Sequence, residues 1–325
     1  MSICIPVYNM ENTIERAIRS ALNQTYTDIE VVVADNQSTD KTYEIALSIN
    51  DQRLRVVRNE KNLGPYGNHN RLLELAKGVW VKYLFGDDEM LPICIERMVS
   101  AIKECPKDVA LIGCGALCHN QFEQEVDKGF VPDELYVFRK SHPREFVLYG
   151  NIFGTPTNTL IHRDGLLAIG GFDLSLEPGA DGDCWTNLMR SYPSAIMPEH
   201  LVIERNDPHS KIGGRVAFSV WGCKHSFLEI EKWHRLDDES KDLPIDKTVY
   251  GDWICKAMFR FWHAGFRYLG IGRPHLLWTL WRELGRRNMR IRSLQYYIFN
   301  RCRGYTVSRL QKDTWVEGLD NLKVF

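Results

Sequence analysis

The feature that most constrains this fold is the stretch "IEVVVAD" at 29–35, a nearly unbroken run of β-branched residues. A strand with one face in water would alternate apolar and polar side chains. An unbroken apolar run instead predicts a strand that is covered on both faces, as in a parallel sheet between helices. The stretch therefore predicts an α/β protein.

The surrounding sequence repeats a strand–helix order about four times. In "ENTIERAIRSALNQ", for example, Ile14, Ala17, Ile18 and Ala21 recur at the spacing of one helix face. Short right-handed connections between such units produce a parallel sheet with helices on both sides. The predicted strands are 3–9, 29–35, 54–59, 79–86 and 109–117, and the predicted helices lie around 11–24, 38–49, 66–78 and 91–105.

Polar or turn-forming residues follow each of the first four predicted strands. The carboxyl ends of parallel strands meet at one edge of the sheet, where ligands bind in such folds. The sets are Val7–Asn9, Asp35–Ser38, Asn59–Gly64 and Gly86–Asp88. Turn formation or helix capping remains the alternative for a single Asp or Asn at these places.

The adjacent pair Asp87 and Asp88 is harder to explain as turn chemistry. Two neighbouring carboxylates repel each other unless a cation or hydrogen-bond donors offset them. Oxygen ligands of this kind favour Mg²⁺ or Mn²⁺, often together with substrate phosphates. The chain has neither a P-loop nor a G-x-G-x-x-G motif after the first strand. A metal that bridges a diphosphate is therefore the predicted way of holding phosphates.

Charge and cysteine content exclude several classes of protein. The net charge of −1 gives no sign of nucleic-acid binding, and nucleic acid is not expected as a partner. The nine scattered cysteines lack C-x-x-C spacing, which predicts a reducing compartment without structural zinc. No signal peptide or apolar run of membrane-spanning length is evident. The sequence thus predicts a cytoplasmic protein, peripheral at the inner face of a membrane if it works there.

Several stretches, taken together and in order, resemble family 2 glycosyltransferases over roughly residues 2–205. The stretches are "SICIPVYN", "ALNQTYTDIEVVVADNQSTDKT", "NLGPYGNHNRL", "KGVWVKYLFGDDEMLP", "GTPTNTLIHRDGLLAIGGFD" and "DGDCWTNLMRS". The resemblance implies a GT-A fold, with a mostly parallel sheet sandwiched by helices, and a catalytic domain at 1–214. Amphipathic patterns and basic composition, rather than the resemblance, predict a helical and basic C-terminal region at 215–325.

The resemblance also implies a pocket for a nucleotide-sugar donor, with a UDP-sugar expected. Asp35 matches the aspartate that hydrogen-bonds the base. Asp87 matches the second acid of the D-x-D metal motif and Asp88 the acid after it, while Phe85 replaces the first acid. The donor-binding residues that the resemblance implies are Pro6, Val7, Tyr8, Asn9, Asp35, Asn36, Asn62, Gly64, Asn68, Arg71, Gly86 and Asp87.

The stretch "GADGDCW" is similar to the catalytic segment of the family. Asp181 falls on the catalytic aspartate, which takes the proton of the acceptor hydroxyl during an inverting attack. A helix-capping role is the alternative for Asp181, because a helix follows it. His209, on the loop 204–214, is a candidate metal ligand, and "TPTN" at 155–158 is expected near the acceptor.

The segment 256–312 carries eleven arginines and two lysines but only one acid, Glu283. Aromatic residues alternate with these charges, a composition that suits an anionic membrane surface. Pairing with the acidic catalytic domain, or simple solvation, is the alternative. The absence of a Q-x-x-R-W motif argues for addition of a single sugar to a glycan or lipid-linked acceptor.

Two other functions remain open at this stage. A sugar-nucleotide nucleotidyltransferase would need a Gly-rich, basic loop after the first strand, and "PVYNMEN" lacks it. A non-catalytic scaffold would explain two departures from the family pattern as signs of a decayed site, namely Phe85 in place of the first D-x-D acid and Ala180 in place of the glutamate before the catalytic aspartate.

Overall fold

The described residues of this computed structural model are 1–119, 125–128, 131–138, 151–176 and 179–205. The strands are β1 (Ser2–Val7), β2 (Glu30–Asp35), β3 (Leu54–Arg58), β4 (Trp80–Tyr83), β5 (Glu89–Met90), β6 (Leu111–His119), β7 (Glu125–Lys128), β8 (Tyr136–Phe138), β9 (Thr159–His162) and β10 (Ser194–Arg205). The helices are α1 (Ile14–Leu22), α2 (Thr42–Ser48), α3 (Pro65–Leu75), α4 (Cys94–Glu104), α5 (Arg163–Ala168) and α6 (Ala180–Ser191).

One sheet contains all ten of these strands, in the order β3-β2-β1-β4-β9-β6-β10-β5, with β7 on β6 and β8 on β10. The first four strands in the chain are mutually parallel, as the run at 29–35 predicts. Beyond β4 the sheet is mixed, because β9 runs antiparallel to both β4 and β6. The predicted fold class is confirmed, and the antiparallel strands are an addition to it.

The core lies between the sheet and its helices. In β2, Val31, Val32 and Val33 are all fully buried, as a strand covered on both faces requires. The buried face of α1 carries the residues expected from its spacing, Ile14, Ala17, Ile18, Ala21 and Leu22. The sheet thereby becomes a rigid support for the loops at its carboxyl edge.

The described residues belong to one compact unit of the chain, which comprises Met1–Pro143 and Asn151–Lys211. The predicted domain boundary at 214 stays a prediction, and the predicted C-terminal region lies outside the described residues. Within the part of the chain that the structure describes, the helices are too short and too polar to cross a membrane.

Candidate active site

The carboxyl ends of the first four strands meet at one edge of the sheet. Val7 of β1 and Asp35 of β2 are register partners, and Asp35 is in turn the partner of Arg58 of β3. The loop after β4 reaches the same place, since a Cβ on Gly86 would lie 2.8 Å from Cγ1 of Val7. Only a glycine allows this approach without displacing Val7. The structure therefore brings together the strand ends that the sequence singled out.

Asp35 is fully buried at this edge. The backbone N–H of Ser38 donates to both of its carboxylate oxygens, at 3.3 and 3.2 Å. Nε of Arg58 lies 3.2 Å from Oδ2 of Asp35, and the same guanidinium donates to the Ser38 carbonyl at 2.7 Å. Arg58 is about one third exposed (37%), so it presents a positive group above the buried carboxylate.

The residues at the end of β1 differ in exposure. Pro6 lies within the strand opposite Ala34, and Val7 is buried. Tyr8 is 44% exposed and therefore accessible to a ligand. Asn9 has a positive φ of 55°, and its side-chain oxygen accepts a hydrogen bond from the Thr39 N–H at 2.8 Å. This contact ties the loop after β1 to the loop after β2.

Buried asparagines hold the loop between β3 and α3 in place. The Asn36 amide donates to the Gly64 carbonyl and accepts from the Leu63 N–H, at 3.0 and 2.9 Å. Asn59 donates to both Asn36 and Asn68, and Asn68 donates to the Ala34 carbonyl. These amides are engaged with the protein itself. They shape the loop, and direct ligand contacts by Asn36 and Asn68 stay a prediction.

Three other predicted donor-binding residues lie on the loop before α3 or on α3 itself. Asn62 is exposed, and its side-chain oxygen accepts from both Asn36 and the Gly64 N–H. Gly64 has a φ of 76°, in the left-handed region that favours glycine, and precedes α3. Arg71 is exposed on α3 and pairs with Glu74 at 2.9 Å, so the structure does not join it to the other candidates.

The aspartate pair sits in the loop between β4 and β5, and both side chains are buried. Oδ2 of Asp88 accepts a hydrogen bond from the Thr157 hydroxyl at 2.9 Å. Oδ1 accepts from the Arg205 N–H at 3.1 Å. Burial, and then the charges of Asp87 and Glu204, raise the pKa of Asp88 to about 8.

The chemistry of these side chains suits a divalent cation. Three carboxyl groups interact in the buried region around the pair, those of Asp87, Asp88 and Glu204. A cation would relieve the repulsion between their negative charges. Among the described residues, no three His, Cys, Asp or Glu side chains are arranged to hold a metal by themselves. A Mg²⁺ or Mn²⁺ site usually combines one or two carboxylates with substrate phosphates, which matches this pair. His209, the third predicted ligand, lies outside the described residues.

Asp181 occupies the first turn of α6 and is only partly exposed. Burial raises its pKa, while hydrogen bonds from the Gly182 N–H and the Tyr66 hydroxyl oppose that rise. Nδ2 of Asn151 lies 3.4 Å from Oδ2 of Asp181. The carboxylate is therefore held by protein donors from α3, from its own helix and from the segment before β9.

Aromatic packing joins α3 to α6 beneath Asp181. The Tyr66 ring stacks on Phe172 with 5.4 Å between centroids, and Phe172 meets Trp185 of α6 edge-on at 5.9 Å. Nε1 of the fully buried Trp185 donates to the Gly154 carbonyl at 3.1 Å. His69 of α3 also meets the Phe85 ring at 5.6 Å. Asp181 and the aspartate pair thus border one set of packed residues.

The sequence alone does not give the contacts of three residues of this site. Tyr66 contacts Asp181 and Arg58 contacts Asp35, yet neither residue type is distinctive at its position. Thr157 was expected near an acceptor as part of 155–158, and it contacts Asp88. Only the three-dimensional placement of these side chains identifies them.

The sequence matches a known enzyme family over about half of the chain. The sequence profile described as "Glycosyl transferase family 2" matches residues 2–170, about half of the chain. The chain belongs to this family, which confirms the family and the glycosyltransferase class predicted from the motifs.

Two curated relatives carry glycosyltransferase names. An uncharacterized glycosyltransferase of Rickettsia typhi is 31% identical over 217 residues, 64% of this chain and 64% of the relative. The Escherichia coli UDP-Glc:alpha-D-GlcNAc-diphosphoundecaprenol beta-1,3-glucosyltransferase WfaP is 40% identical over 99 residues, 30% of this chain and 39% of the relative. The matched regions span less than two thirds of both relatives.

Two solved structures share the fold. S. aureus TarS 1-349 in complex with UDP has a TM-score of 0.62 at 17% identity, covering 94% of this chain and 92% of that one. The Pyrobaculum calidifontis mannosyltransferase PcManGT, in complex with GDP-Man and Mn²⁺, has a TM-score of 0.55 at 20% identity, covering 99% and 86%. These similarities confirm the predicted GT-A fold.

Proposed function

We propose that this protein is an inverting, metal-dependent glycosyltransferase that moves one sugar from a nucleotide-diphosphate sugar to an acceptor hydroxyl. The acceptor oxygen forms a bond to the anomeric carbon while the bond from that carbon to the diphosphate oxygen breaks. The hydroxyl proton passes to Asp181, and the nucleoside diphosphate leaves. Attack from the side opposite the leaving group inverts the anomeric carbon.

The observation that carries this proposal is the position of Asp181. It is a partly exposed carboxylate held by Tyr66 and Asn151, and it borders the same packed residues as the aspartate pair. Burial raises its pKa, which makes the ionised carboxylate a stronger base than an exposed aspartate. The hydrogen bond from Tyr66 favours the ionised form, so the side chain is ready to accept a proton.

The donor is proposed to be a UDP-sugar that lies across the strand ends. Tyr8 offers an exposed ring, and Arg58 offers hydrogen-bond donors beside the buried Asp35. The Asp35 carboxylate accepts hydrogen bonds and the Arg58 guanidinium donates them. Such a pair suits the edge of a base like uracil, which has one N–H between two carbonyls. The UDP-Glc in the name of the Escherichia coli relative supports this choice.

Asp87 and Asp88 are proposed to hold Mn²⁺ or Mg²⁺, with His209 as a further candidate ligand. When bound, the ion would supply positive charge that stabilises the departing diphosphate. Glu204 lies close enough to raise the pKa of Asp88, so it adds to the negative charge that attracts the ion. The Mn²⁺ named with the mannosyltransferase PcManGT supports this assignment.

The acceptor is proposed to be a glycan carried on a lipid diphosphate, in the synthesis of a polysaccharide or cell-surface glycan. The name of the Escherichia coli relative states such an acceptor, GlcNAc on diphosphoundecaprenol. A lipid-linked acceptor requires the enzyme to approach a membrane, and the basic segment 256–312 has the composition for an anionic surface. We place the protein in the cytoplasm, at the inner face of that membrane.

Replacing Asp181 by Asn tests the proposal, because the amide keeps the shape of the side chain and cannot act as a base. We expect Asp181→Asn to lose sugar transfer to a lipid-diphosphate acceptor while UDP affinity, measured by calorimetry, stays unchanged. Asp164→Asn is a matched control, since Asp164 is also an acid in the first turn of a helix and is exposed. Unchanged turnover in Asp181→Asn would refute the role of Asp181 and favour a capping function.

A further inference from the structure

The turn from Phe85 to Asp88 carries the aspartate pair, and the Asp88 N–H closes it by donating to the Phe85 carbonyl at 3.1 Å. Asp88 is 3% exposed, and two hydrogen bonds hold its carboxylate. One comes from the backbone of Arg205 and the other from the hydroxyl of Thr157, at 3.1 and 2.9 Å. The Thr157 hydroxyl is the only one of the two that a point mutation can remove without changing the backbone.

Thr157 contacts both ends of this turn. Its Oγ1 accepts a hydrogen bond from the Phe85 N–H at 3.1 Å and donates to Oδ2 of Asp88. Its backbone carbonyl accepts from the ammonium group of Lys82, which is fully buried on β4 just before the turn. A single residue therefore connects the strand that enters the turn, the start of the turn and the carboxylate at its end.

Thr157 is itself firmly anchored. Its side chain is fully buried, and it lies in a short 3-10 turn, Pro156–Asn158, that leads directly into β9. Asn158 donates to the Cys114 carbonyl of β6, and Thr159 is paired with β6 within the sheet. A hydroxyl fixed to the centre of the sheet can hold Asp88 in one orientation.

We propose that Thr157 is a positioning residue for the metal-binding turn and acts through the carboxylate of Asp88. This inference rests on the proposed function, in which the aspartate pair holds a divalent ion. In this role the Thr157 hydroxyl acts on Asp88 rather than on the donor or the ion, and it keeps the oxygen atoms of Asp88 in place for binding.

Mn²⁺ affinity measures this role without any sugar transfer. Calorimetric titration of Mn²⁺ into the full chain with UDP present is expected to show about 10- to 100-fold weaker binding in Thr157→Val, the usual effect of removing a partner of a metal ligand. Thr157→Ser keeps the hydroxyl and should keep the affinity. Thr159→Val is the matched control, because it removes a neighbouring buried hydroxyl that donates to the Pro156 carbonyl instead.

A double-mutant comparison distinguishes positioning from general damage to the fold. If Thr157 acts through Asp88, then Thr157→Val in an Asp88→Asn background should cause no further loss of Mn²⁺ affinity. The same further loss in both backgrounds would overturn the inference. Circular dichroism reports folding, and Thr157→Ala replaces Thr157→Val in both titrations if the valine variant does not fold.

The same titrations distinguish a failure of the proposed metal-dependent function from a failure of the role assigned to Thr157. Wild-type protein that binds no Mn²⁺ in the presence of UDP would contradict the proposed function itself. Wild-type binding together with equally tight binding by Thr157→Val would overturn only the role of Thr157.

Discussion

His69 should make the stability of the fold depend on pH between about 4 and 6.5, and its replacement should remove that dependence. The side chain is 4% exposed and packs against the rings of Tyr83, Phe172 and Phe85 at 4.9, 5.3 and 5.6 Å. Nδ1 donates to the Pro65 carbonyl at 2.8 Å. Nε2 has no hydrogen-bond partner among the described residues. Protonation would therefore place an N–H and a charge among aromatic rings.

The size of the effect follows from the two pKa values. Burial lowers the pKa of His69 from 6.5 to about 4. Between these two pKa values, His69 is protonated in the unfolded chain but not in the folded chain. The folded state is therefore most stable near neutral pH, and its stability falls as the pH drops. The difference between the two pKa values corresponds to about 3 kcal/mol of unfolding free energy. About 2 kcal/mol of this is lost between about pH 7 and pH 5.

Urea unfolding at the two pH values, followed by tryptophan fluorescence, measures this loss. We expect wild-type protein to lose about 2 kcal/mol more of its free energy of unfolding than His69→Phe does. Tyr83→Phe is a suitable control, since it removes the hydrogen bond to the His69 carbonyl in the same cluster without changing a group that titrates in this range. An equal loss of stability in wild type and His69→Phe would refute the reasoning.

Two further predictions concern the loops of the site. Tyr66→Phe removes a hydrogen bond that lowers the pKa of Asp181, so the acidic limb of the pH profile of kcat should move to higher pH; an unmoved limb would contradict it. Asn36→Ala leaves buried partners unpaired and should cost about 2–3 kcal/mol in urea unfolding, whereas the exposed Asn23→Ala should cost under about 0.5 kcal/mol. Equal costs would show that the amide network does not stabilise the loop.

Sequence patterns predicted the first half of the sheet because its elements obey local rules. The β-branched run of β2 and the spacing of apolar residues in α1 depend on side chains within one segment. Convergence of the strand ends at Asp35 and Asp87 followed from the topology of parallel strands. These predictions required no knowledge of contacts between distant residues.

The remaining features depend on contacts across the chain. Thr157 donates a hydrogen bond to Asp88, although the two residues are 69 positions apart in the chain. No local pattern marks a buried threonine as the partner of a carboxylate. The antiparallel strand β9 is only four residues long, too short for its period to identify its partners. A polar residue at a strand end, such as Asn36, has the same sequence signature whether it contacts a ligand or its own loop, and ligand binding by Asn36 stays a prediction.

Calorimetric titration of UDP, first with Mn²⁺ and then with EDTA, tests the central claim most directly. We expect binding with Mn²⁺, loss of that binding with EDTA, and the same loss with Mn²⁺ in Asp87→Ala. GDP and dTDP titrated in the same way would report the choice of base. UDP binding that is equally tight with EDTA, or that persists in Asp87→Ala, would contradict a diphosphate held by a metal ion on the aspartate pair.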